Sequence, residues 1–144
     1  MNCPKCGKPI NPEAHQDLVF NGQVWCSQCH SYDWEILRLR QADEIRAWAQ
    51  RICAAFGEDP VPIEIYPAML TRQGRKIQVA EVHHRLRLID LYTPGLTLIT
   101  LCHELAHVFT AEDHTTYWAQ TFAQLVAWVK GQLPPLKKPF SSLE

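Results

Sequence analysis

No stretch of the sequence stays apolar for the ~20 residues that a bilayer span needs, and no segment repeats or falls to low complexity. An excess of either charge is missing too. The chain carries 14 Lys and Arg against 15 Asp and Glu, a formal net charge of -1, so no global field draws it toward nucleic acid or anionic lipid. The opening MNCPKCGKPINPEAH has neither the basic start nor the apolar run of a secretory signal, and a cytoplasmic protein is expected. In a reducing compartment the six cysteines read as thiols or metal ligands before disulfides. What remains is ordinary globular material, 47% hydrophobic and 20% charged over 144 residues, enough for one modest core with a small appendage.

Four of the cysteines form that appendage. Cys3 and Cys6 make one C-x2-C pair, Cys26 and Cys29 a second, with nineteen residues between the pairs. Each pair sets two thiolates on a tight turn, so two pairs complete a tetrahedral site. Gly7 suits the positive φ that such a turn needs. The spacing predicts a structural zinc ribbon over residues 1–32, a closed site that folds the segment and does no chemistry. Cys53 and Cys102 instead fall among apolar residues, where a free thiol behaves as a small hydrophobe.

The rest of the chain reads as α+β. Ile45, Trp48, Ala49, Ile52, Cys53 and Phe56 recur at helical steps between Trp34 and Phe56, and Gly57 stops the run. The prolines of EDPVPIEIYPAM allow only a short edge strand at 63–66. KIQVAEV and RLRLIDL read as strands of a small antiparallel sheet, with Arg85 and Arg87 on its solvated face and His83 and His84 between the strands. Thr93 with Pro94 reads as the start of a largely buried helix. A last helix spans about Thr115 to Lys130, and residues 134–144 form a flexible tail.

The chemistry gathers in HELAHVFTAEDHTTYW, residues 103–118. His103 and His107 lie four apart on a helix, so their imidazoles point the same way and can share one ion at about 2.0–2.1 Å. Glu104 follows the first histidine by about 100° around the helix, within reach of the water that a metal activates. A chance H-E-x-x-H in this composition is on the order of one in a hundred. Two buried imidazoles and a glutamate also cost several kcal/mol unless each finds a partner, and a metal supplies the partners at once. A catalytic zinc wants a third protein ligand and one open position. His114 is the expected third ligand, projecting from the start of the last helix after Asp113 caps it; Glu112 and Asp113 are the alternatives.

TLCHELAHVFTAEDHTTYWAQTF, residues 100–122, resembles the active-site region of SprT-like and related small gluzincin-type zinc metallopeptidases. The resemblance implies a minimal zincin-like domain over residues 33–133, with a helix, a small sheet, the H-E-x-x-H helix and a C-terminal helix. It implies that His103, His107 and His114 hold a catalytic zinc and that Glu104 is the catalytic acid/base. With the ribbon, two zinc ions per chain are expected. The same resemblance implies peptide or protein substrates that lie along an edge strand, for which residues 76–82 are the candidate, and DNA association through the ribbon. Here the ribbon precedes the catalytic part, whereas in that family it commonly follows. Tyr117, His83 and His84 are candidates to stabilise the oxyanion. Two other readings stand beside the peptidase: a zinc hydrolase of a nucleotide phosphate, which calls for converging arginines and lysines, and a noncatalytic zinc-stabilised binding protein.

Overall fold

The computed structural model describes residues 34–67, 69–70 and 77–133, the strands at 18–20 and 23–25, and the single positions Asn2 and Gly7. The four ribbon cysteines, Cys3, Cys6, Cys26 and Cys29, and the tail from 134 onward lie outside the described residues. Gly7 has the expected positive φ, 76°. The elements run β1 (Leu18–Phe20), β2 (Gln23–Trp25), α1 (Trp34–Leu37), α2 (Ala42–Ala55), β3 (Ile63–Tyr66), β4 (Met69–Leu70), β5 (Ile77–Gln78), β6 (Ala80–His83), β7 (Leu88–Tyr92), α3 (Leu98–Thr110) and α4 (Thr116–Gln132). The chain is therefore mixed α+β. No described helix is long and apolar enough to cross a membrane.

The amphipathic stripe of α2 buries Ile45, Trp48, Ala49, Ile52 and Cys53 as its periodicity requires. The helix does not extend back to Trp34, because Arg40 turns inward. Its guanidinium donates to the Glu35 carbonyl at 2.8 Å and pairs with the carboxylates of Glu35 and Glu44, while its backbone N–H donates to the Leu96 carbonyl. The break at 38–41 thereby ties α1 and α2 to the segment just before α3.

The main sheet has the order β3-β7-β6 and is not the all-antiparallel sheet read from the sequence. β6 and β7 pair antiparallel around the turn at 84–87, but β3 pairs parallel to β7. The reason is burial. All of β7 from Ile89 to Tyr92 is buried, so β7 takes the centre with both edges paired, and the β4–β5 hairpin intervenes before the chain returns. Arg87 keeps its side chain partly exposed in the turn before β7, where its guanidinium donates to the Asp59 carbonyl at 2.7 Å and pairs with Glu58 at 2.9 Å, which holds the turn in place despite a left-handed φ of 51°.

A 3-10 turn at Thr93–Gly95 occupies the place expected for the start of the buried helix, and α3 begins later. Thr97 is its N-cap, accepting from the Thr100 N–H at 3.2 Å. Every residue of α3 except Phe109 is buried, because α1, α2, α4, β6 and β7 all pack around it. Gly95 makes this approach possible. A methyl group there would overlap the Val79 carbonyl, which accepts from the Tyr92 N–H at 3.0 Å. Gly95→Ala is expected to destabilise the fold by about 1–3 kcal/mol, read as a lower denaturant midpoint with an unchanged slope.

Candidate metal centre

α3 brings His103, Glu104 and His107 to one end of the core. Ala111, at φ 56°, closes the helix in the left-handed conformation and lets the chain turn back. The five residues 111–115 then deliver His114 beside the other two histidines before α4 starts. The α4 cap is Thr115, which accepts from the Trp118 N–H at 3.2 Å, and not Asp113. Thr115 also donates to the Glu112 carboxylate at 2.6 Å, which draws that acid away from the histidines. The structure therefore groups His114, and neither alternative carboxylate, with His103 and His107.

The Nε2 atoms of His103, His107 and His114 form a triangle with edges of 3.1, 3.2 and 3.3 Å. Hydrogen bonding among themselves cannot satisfy all three. A protonated ring nitrogen only donates and an unprotonated one only accepts, so at least one of the three pairs must oppose like groups. A cation resolves all three pairs. Four donors held tetrahedrally at about 2.0–2.1 Å from one zinc stand about 3.3 Å apart, and the observed edges match that spacing without rearrangement. Three imidazoles with one position left over is the donor set of a catalytic zinc site.

The surroundings set the protonation states. The Nδ1–H of His107 donates to the Glu112 carbonyl at 2.8 Å, leaving its Nε2 lone pair for the shared centre. Burial holds His107 below its ordinary pKa, and the neighbouring His114 adds to the effect against the Glu112 carbonyl; both burial and His114 favour the neutral ring. Glu104 is 8% exposed and has an oxygen 3.8 Å from His103 Nε2. Desolvation pushes its carboxyl up to about 7, where one group can both take and give a proton near neutral pH.

Trp118, wholly buried on α4, organises the cluster. Its ring stacks on His107 at 4.9 Å, meets His103 and His114 edge-on at 4.7 and 4.6 Å, and stacks on Phe122 at 5.3 Å. Its indole N–H also donates to the His103 carbonyl at 3.3 Å. The sequence marks Trp118 as a core residue through its helical spacing, but a tryptophan touching all three imidazoles has no separate signal there. The backbone carbonyl of Glu112 has none either.

The histidines and Glu104 line a cleft of about 320 Å³ together with Ala80, Glu81, Val82, His84 and Asp113. Of the three oxyanion candidates only His84 borders it. His83 is turned to Asp90 at 2.7 Å, and Tyr117 is 54% exposed and lies outside the lining. Cys102 is fully buried and burial pushes its thiol up, which removes it as a nucleophile. In comparisons with family models, curated proteins and solved structures, the chain matches none.

Proposed function

We propose that the chain is a zinc-dependent peptidase of the kind that its H-E-x-x-H segment resembles, with His103, His107 and His114 as zinc ligands and Glu104 as the acid/base. The observation that carries the reading is the Nε2 triangle with the buried Glu104 carboxyl at its side on the wall of an open cleft. Zinc, when bound, supplies the Lewis acidity that activates a water and polarises the scissile carbonyl. Glu104 takes the proton of the attacking water and returns it to the leaving amine. The Glu112 carbonyl fixes the His107 tautomer and the Trp118 ring fixes the imidazole planes, so that neither has to reorganise during turnover. His84, at the cleft rim, is the candidate donor to the oxyanion.

Two features of the cleft favour a peptide over a phosphate. β6 is an edge strand of the main sheet, and its residues Ala80, Glu81 and Val82 border the cleft, so an extended peptide can add alongside it. The described lining also contains Asp113 and Glu104 but no lysine or arginine, and a polyphosphate needs cationic side chains. Incubating the zinc-loaded protein with an unfolded protein substrate and reading cleavage by mass spectrometry tests the proposal. Cleavage is expected that stops on chelation and returns with added zinc. Intact substrate at every zinc level would reject a peptidase.

A further inference from the structure

We propose that Glu81, His83 and Asp90 form a second site for a divalent cation, on the face of the main sheet that points away from the helices. In β7, Ile89 and Leu91 join the hydrophobic core, so Asp90 between them projects from the opposite face. Its register partners are Glu64 on β3 and Glu81 on β6, which puts three carboxylates side by side across all three strands. Like charges directly opposite one another destabilise a sheet. Glu64 accepts from the Tyr66 hydroxyl. The other two carboxylates and His83 have ligand atoms that all lie within 4.8 Å of one another.

Asp90 gives the second indication. The residue is 9% exposed; its Oδ2 faces His83 Nε2 at 2.7 Å, but its Oδ1 is shut off from water and accepts no hydrogen bond. A protonated His83 accounts for Oδ2 alone and leaves Oδ1 uncompensated. A cation held among the three side chains supplies the compensation that the Asp90 carboxylate lacks. An imidazole with two carboxylates suits a first-row divalent ion such as Mn²⁺ or Zn²⁺. Because Glu81 and His83 come from β6 and Asp90 from β7, the ion would join the strand that borders the cleft to the centre of the sheet.

Mn²⁺ titrated into the full chain carrying only two equivalents of zinc tests this, because its paramagnetism broadens the amide signals nearest the ion and thiolate sites disfavour it. Broadening is expected to centre on residues 81–83 and 90. Asp90→Asn should raise the Mn²⁺ concentration for half-broadening by tenfold or more, and Glu81→Gln, at an exposed position, should act in the same direction with the fold intact. No broadening at these residues, or broadening that Glu81→Gln leaves unchanged, would overturn the proposal.

Discussion

Glu104→Gln is expected to lower peptide hydrolysis by about 10²- to 10⁴-fold, the usual contribution of a general acid/base, while zinc stays bound. The amide keeps the size of the carboxyl but can neither take a proton from water nor hand one to an amine. The three imidazoles that would hold the metal are untouched. Loss of activity together with loss of zinc would instead assign Glu104 a role in holding the ion, and full activity would end the acid/base reading. The same substitution has a second signature in the metal-free protein. Burial raises the folded carboxyl from its ordinary 4.5 to about 7, so the folded state binds the proton more tightly than the unfolded chain does. The stability linked to this group is thus fully present below about pH 4.5 and is lost as pH rises to about 7. A shift of that size corresponds to about 3 kcal/mol. Metal-free Glu104→Gln should lack this decline and exceed the parent protein in stability at pH 8, as denaturant titrations at pH 4 and pH 8 would show.

Trp118→Ala should be the most damaging single change in the core. The side chain is wholly buried against three imidazoles and Phe122, and truncating a buried tryptophan costs about 3–5 kcal/mol. It also removes the surface that aligns the histidine rings, so zinc affinity should fall along with stability. Trp118→Phe separates the two effects. It keeps a ring against the histidines but loses the N–H donated to the His103 carbonyl, a loss of about 1 kcal/mol, and most of the zinc affinity should survive. Unchanged zinc affinity in a folded Trp118→Ala protein would show that the imidazoles hold their positions without the indole.

What the sequence made legible was whatever depends on local spacing. The i, i+4 histidines and the adjacent glutamate could be placed because one helical turn fixes their relation, and the structure keeps that relation in α3. His114 was legible because a short connection limits where it can go. Strand order was not legible. The parallel pairing of Ile63 with Ile89 joins residues 26 apart through burial of β7, and no local pattern encodes which strand takes the centre. The helix starts slipped for a similar reason. Thr93, Thr97, Asp113 and Thr115 are all acceptable caps by residue type, and the two helices use Thr97 and Thr115. Asp90 is one polar residue in the apolar run LIDLY; its place between Glu64 and Glu81 exists only once three strands are in register.

Three imidazoles from one helix and the turn after it are proposed to hold a single zinc ion. Zinc per chain, measured by mass spectrometry on the folded protein and on His103→Ala/His107→Ala, tests it most directly. The double variant is expected to carry one zinc fewer than the parent and to lose all peptide hydrolysis. An equal zinc count in the two folded proteins would contradict the claim.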